Sequence, residues 1–307
     1  MRFLPDPGFT FDTFVTGPGS RMAAAAARRA AESPGTSYNP LYLYGPPGVG
    51  KTHLLRAVGD LALTVRPEMV VLYATMEQVV DDVSEAVAAG TLDRWREGWA
   101  EAGLVLLDDV QALSGRGRTQ EELLRVWEEA GRGGTQLVLA ADRPPAEIPG
   151  LDEGLRARLA GGLAVDLTPA EAETRAGIVE KWAETARIPL AAGVAEEVAR
   201  LPLDGAADLQ RAVERLGEEQ RTRQGTLAPD EVAALLVPPS AGPAPVDEFS
   251  AFLSDIAFTV EQLVEAAPWR RTVAEAILRW EGEGIRTRRL EETLEADSAP
   301  DVEALVE

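Results

Sequence analysis

As far as Leu167, short apolar runs alternate with helical patterns. Leu41–Tyr44, Met69–Ala74, Leu104–Leu107, Gln136–Ala140 and Leu163–Leu167 are nearly continuous in apolar character. Strands buried on both faces of a parallel sheet read this way. Between them, Thr52–Leu63, Met76–Ala88 and Gln120–Ala130 carry apolar residues at helical spacing. Strands and helices in alternation predict an α/β fold, a parallel sheet covered by helices.

The strand pattern stops at Pro169. From there to Val237 four amphipathic stretches are separated at Ile188-Pro189, Leu201-Pro202 and Ala228-Pro229, which predicts a small helical domain. Pro238-Pro239-Ser240-Ala241-Gly242-Pro243-Ala244-Pro245 then reads as a stiff, extended linker. Beyond it Phe249, Phe252, Leu253, Ile256, Val260, Leu263 and Val264 share one helical face. A second helix follows Pro268 and fades at Gly282 to Gly284. The expected divisions are therefore 1–167, 168–237, a linker over 238–247, and an acidic helical segment over 248–307. The last helical pattern, Val302 to Val306, runs to the final residue, which fits a piece of something longer.

Composition narrows the class. The apolar fraction of 45% and charged fraction of 26% are those of an ordinary globular protein. With no cysteine, disulfides and thiolate metal sites are excluded. The Ala23–Ala27 run is broken by Arg28 and Arg29 and makes no leader, and no stretch is apolar enough to span a bilayer. A cytoplasmic location without membrane contact is expected. The net charge of −21 repels phosphate backbones and disfavours nonspecific DNA binding. Only Lys51 and Lys181 are lysines.

Gly45-Pro46-Pro47-Gly48-Val49-Gly50-Lys51-Thr52 fits the spacing of a phosphate loop. Glycines let the backbone fold so that successive N–H groups point inward at phosphate oxygens. The helix that starts at Lys51 adds its positive N-terminal end. Lys51 is expected on the β- and γ-phosphates and the Thr52 hydroxyl on Mg²⁺. The flanks agree, since Leu41–Tyr44 reads as a buried strand and His53-Leu54-Leu55 opens a helix. Val105-Leu106-Leu107-Asp108-Asp109 is a strand ending in two carboxylates. Asp108 is expected to hold the metal, directly or through water, and Asp109 to polarise an attacking water.

Several segments together resemble one family. They are Phe9–Gly17, Tyr38-Asn39-Pro40-Leu41, Gly50-Lys51-Thr52-His53, Leu107-Asp108-Asp109-Val110-Gln111, Thr119-Gln120-Glu121-Glu122, Ala141-Asp142-Arg143-Pro144-Pro145, Leu155-Arg156-Ala157-Arg158 and Glu173-Thr174-Arg175. Over residues 9 to 220 they resemble the ATPase core of the DnaA family of AAA+ replication initiators. The resemblance implies a five-stranded αβα sandwich followed by a helical lid, with ATP or ADP and Mg²⁺ between them. It places Phe14 and Val15 on the adenine side, beside Gly45 through His53. It makes Asp142 the sensor near the γ-phosphate and Arg158 an arginine finger acting on a neighbouring subunit's nucleotide. It also implies assembly with copies of itself or with other DnaA-like proteins.

Three departures qualify what the family implies. The helical patterns between Tyr73 and Gly103 match the insertion that touches single-stranded DNA in the family, and Arg118 matches a basic position of that channel. Here the insertion carries Glu77, Asp81, Asp82 and Glu85, so only weak single-strand contact is expected. Ala207 occupies the position of the lid's sensor arginine, so ATP binding with slow hydrolysis is expected. Arg211, one helical turn on, is placed either to reach back or to face solvent. Nothing in 238–307, with fifteen acids against six arginines, resembles the origin-reading domain. The leading expectation is a nucleotide-gated switch in replication initiation or its regulation. The alternatives are a partner-binding switch outside replication and a loader-type ATPase for a helicase or transposase.

Overall fold

A computed structural model describes residues 2–236 apart from Ser37. The proline-rich linker and the acidic helices expected beyond it lie outside the described residues. Five strands are present, β1 (Leu41–Tyr44), β2 (Val71–Thr75), β3 (Leu104–Asp108), β4 (Gln136–Ala141) and β5 (Leu163–Asp166). They form one parallel sheet in the order β2-β3-β4-β1-β5, with Leu41 opposite both Val138 and Leu163. β3 and β4 lie inside the sheet and are buried at every residue, as their apolar runs lead one to expect, with Asp108 and Gln136 the polar residues at their ends.

Side-chain alternation sends each strand's residues to two separate cores. Leu41, Leu43, Leu104, Leu106, Val138 and Ala140 pack under α1 (Arg21–Glu32) and α2 (Lys51–Val65). Tyr42, Val105, Leu107, Leu137 and Leu139 pack under α3 (Met76–Ala89), α4 (Leu92–Ala100), α5 (Gly117–Gly133) and α6 (Glu153–Ala160). The three-layer αβα sandwich is thus the observed architecture. Asn39 extends the β1–β4 ladder through its side chain: its amide accepts from the Leu137 N–H and donates to the Thr135 carbonyl. That explains why an asparagine belongs just before the strand.

The elements differ from expectation in detail. β2 begins two residues later than the apolar run, because the Met69 N–H is spent on a turn to the Arg66 carbonyl. Helix α1 is new: Ala23, Ala26, Ala27, Ala30 and Ala31 form a buried face of alanines. After β5 come α7 (Ala172–Ala186), α8 (Val194–Arg200), α9 (Ala206–Arg223) and α10 (Pro229–Leu236), built around a core of their own that includes Val179, Val198, Leu209 and Leu216. Among the described residues, no helix is long and apolar enough to cross a membrane.

Candidate nucleotide site

The phosphate loop runs from the C-terminal end of β1 to the first turn of α2, at the strand ends where parallel sheets hold their ligands. Lys51 is 9% exposed and folds over the loop, donating from Nζ to the carbonyls of Gly45 (2.7 Å) and Pro46 (2.8 Å). One of its three N–H bonds is left for a ligand. Burial pushes its ammonium below the ordinary value, while Asp108, Asp109 and Asp142 pull it back up. The carboxylates at the strand ends therefore offset part of what burial costs this ammonium.

Asp108 closes β3 and is 3% exposed. Its Oδ2 accepts from the Thr52 hydroxyl at 2.7 Å and from Tyr73 Oη at 3.4 Å. Burial raises its carboxyl above the usual range and the Thr52 hydroxyl draws it back. Hydroxyl and carboxylate so close make an all-oxygen pair, the donor type Mg²⁺ takes when phosphates and waters complete its shell.

Asp109 is exposed and sits at φ 55°, a left-handed conformation that aspartate tolerates better than most residues. Its Oδ1 accepts from Gln111 Nε2 at 2.9 Å, and Gln111 Oε1 accepts from the Asp142 N–H at 3.2 Å. Gln111 thereby ties the ends of β3 and β4 together, a role its place in the sequence motif did not disclose. Asp142 is held by both arms of Arg143 (2.7 and 2.8 Å), whose hydrogen bonds keep its carboxyl below the usual range. Adjacency in sequence was the only signal for that pair.

Above the loop lies a cleft of about 850 Å³ between the sandwich and the helices after β5. Phe14, Val15 and Pro46 through His53 all line it; Gly45 does not, and serves as an acceptor for Lys51. Its far end is aromatic, with Phe9 and Phe14 each edge-on to His53 at 5.2 Å. Trp182 of α7 continues the wall beside Phe9. Burial lowers the His53 imidazole below its ordinary value, so the ring is neutral at pH 7. Its Nε2 lies 2.9 Å from the Thr10 carbonyl, which can only accept, so Nε2 carries the proton.

Two residues sit apart from the cleft. Arg158 lies on α6, donating to the Trp127 carbonyl at 3.2 Å, in a separate surface depression with Asn39, Leu124 and Glu128. The fold does not bring it to this chain's own phosphate loop. Arg118 pairs with Glu121 (3.4 Å) and Glu122 (3.2 Å). Glu122 is fully buried and also holds Arg96 of α4, so the insertion is pinned to α5 through one carboxylate. On the lid side, Ala207 lines the cleft with no cation, and Arg211 is 73% exposed and paired with Asp208. Of the two orientations open to Arg211, the one away from the cleft is observed.

Residues 6–166 match the bacterial DnaA ATPase-domain family. The chain is 40% identical over 215 residues to the chromosomal replication initiator protein DnaA of Neisseria meningitidis serogroup C strain FAM18, which spans 70% of this chain and 42% of that protein. It thus covers less than half the length of that relative. Domain III of the Thermotoga maritima replication initiation protein DnaA superposes with a TM-score of 0.73 at 34% identity, covering 76% of this chain and 98% of that one. A replication initiator DnaA bound to AMPPCP and single-stranded DNA superposes at 0.64 with 28% identity, covering 72% and 70%. With the loop, the paired aspartates and the sheet order already in place, these likenesses leave one conclusion: the chain belongs to the bacterial DnaA ATPase-domain family.

Proposed function

We propose that this chain binds ATP and Mg²⁺ in the cleft over Gly45–Thr52 and acts as a nucleotide-gated switch in replication initiation or its regulation. The observation that carries the reading is the buried Lys51 beside the Thr52–Asp108 pair, 2.7 Å apart, at the strand ends. A solved relative carries AMPPCP, which supports the ligand class. Thr52 and Asp108 would hold the metal, which when bound neutralises phosphate charge. Phe14 and Val15 would face the base, and Asp109 and Asp142, joined through Gln111, would orient water near the terminal phosphate. Residues 1–167 form the nucleotide-binding core in this reading, and 168–237 the lid.

Arg158 belongs to a surface rather than to its own cleft, which suits a finger offered to a neighbouring DnaA-like subunit. Fingers of this kind contribute about 10³–10⁵-fold in rate where dissected in GTPases. Hydrolysis in this chain is proposed to be slow, because Ala207 supplies no cation from the lid and Arg211 is spent on Asp208. Ala207→Arg is expected to speed steady-state phosphate release. A wild type that already turns over fast and is slowed by the substitution would sink the assignment of Ala207.

Single-stranded DNA, bound together with AMPPCP by one solved relative, is proposed here only as a weak ligand. Arg118 is already neutralised by Glu121 and Glu122, so a phosphate must displace them to reach it. Fluorescence anisotropy at physiological salt is expected to show negligible duplex binding and at most weak, ATP-dependent single-strand binding. With two to four phosphate contacts the slope of log K against log salt should be about −1.5 to −3. Tight duplex binding that resists salt would contradict this.

A further inference from the structure

The lid meets the phosphate loop through backbone. The Ala206 N–H, first in α9, donates to the Gly48 carbonyl at 3.0 Å. Gly48 and Gly205 face each other at φ 79° and 91°; a Cβ on Gly48 would stand 2.9 Å from Gly205 Cα, and one on Gly205 2.7 Å from Gly48 Cα. Only glycine at both positions allows this approach. The turn that delivers Gly205 is short; its Leu201 and Leu203 carbonyls each accept from the N–H two residues on and keep a second lone pair, and Ala199 lies in the last turn of α8.

Arg175 of α7 takes those carbonyls. Its Nε donates to Ala199, Nη2 to Leu201 and Nη1 to Leu203, each at 2.9 Å. A planar guanidinium spans three acceptors along one turn, which a lysine ammonium cannot do with the same geometry. The side chain lines the cleft and spends three of its five N–H groups on the turn. With Ala207 apolar and Arg211 turned away, no cation in this part of α9 draws the lid to the loop.

We propose that Arg175 is a positioning residue for the nucleotide site, fastening the α8–α9 turn so that Gly205 and Ala206 stay clasped to the phosphate loop. This rests on reading the cleft as a nucleotide site. Bound nucleotide leaves when the turn lifts, so the clasp sets the dissociation rate. The lid is coupled to the loop through main-chain contact in place of a side-chain charge.

Stopped-flow dissociation of a fluorescent ADP from the full chain tests this. Arg175→Ala is expected to release nucleotide about tenfold faster, a loss of one decade in residence time. Arg175→Lys should fall nearer the alanine variant than the wild type. Ala206→Pro removes the N–H on Gly48 yet places proline at the first helical position, where it is tolerated. It should accelerate release comparably, and the double variant should be no faster than the faster single one, since both break one clasp.

Val198→Ala, in the core of the same helical bundle, controls for general loosening and should change the rate by less than about twofold despite its cavity. Should Arg175→Ala fail to fold, Ala206→Pro alone decides. A wild-type rate in either variant, multiplying effects in the double variant, or equal acceleration by Val198→Ala at matched melting temperature overturns the clasp. A wild type that retains no labelled nucleotide overturns the nucleotide reading itself.

Discussion

Replacing Lys51 by alanine is expected to lower ATP affinity by at least about tenfold, or 1.4 kcal/mol, with the fold intact. The phosphates carry several negative charges, and the cleft offers them few cations. His53 is neutral at pH 7, and Arg175 directs three of its N–H groups at the carbonyls of the α8–α9 turn. Ala207 adds none. Lys51 is the cation that lies on the loop itself, in a buried setting where charge-assisted hydrogen bonds are strong. The N-terminal end of α2 and the loop N–H groups remain, so binding should weaken without vanishing. Lys51 bonds only to carbonyls of its own loop, and α2 is anchored by Leu54, Leu55 and Val58. Circular dichroism should accordingly show no loss of helix. Calorimetry with equal affinities for the two proteins would remove the role given to Lys51.

Trp127→Ala is expected to produce the largest loss of stability, about 3–5 kcal/mol for truncating a buried tryptophan. The indole is fully buried on α5, in the core formed by β3, β4 and α3 through α6. Its neighbours are held by the sheet on one side, so the cavity cannot simply collapse. Leu155 and Leu159 of α6 share that core, and Arg158 hangs from the Trp127 carbonyl. The truncation spares that main-chain bond while softening the seat of α6. Denaturant melts should show the loss as a shift in midpoint. A change under about 1 kcal/mol would mean that the core repacks around the gap.

Much of this was legible along the chain because parallel strands buried on both faces cannot hide. β3 and β4, the most buried, match their apolar runs almost residue for residue. The helices after Pro169 were marked by Pro189, Pro202 and Pro229, which fall outside helices or at a first helical position. Helix α1 escaped because alanine is weakly hydrophobic. Its buried face, Ala23, Ala26, Ala27, Ala30 and Ala31, nonetheless has helical spacing, and small side chains are what a tightly apposed helix needs.

The places of Gly45–Thr52 and Asp108 in the fold could be read because they are local: a turn, a helix start and a strand end. The contacts between distant segments could not. Gln111 between Asp109 and Asp142, Glu122 between Arg96 and Arg118, and Arg175 under the α8–α9 turn all depend on loop paths. Sequence spacing does not encode those paths. The outward turn of Arg211 was undecidable in the same way, since Asp208 at one helical turn and the cleft compete for the same guanidinium.

Isothermal titration of the intact chain with ATP in the presence of Mg²⁺ tests the central claim most directly. Expected is saturable one-to-one binding that weakens when Mg²⁺ is chelated, because Thr52 and Asp108 would hold that cation and it would offset phosphate charge. Absence of binding at millimolar ATP, in protein whose melting curve shows it folded, would contradict the claim that this cleft is a nucleotide site.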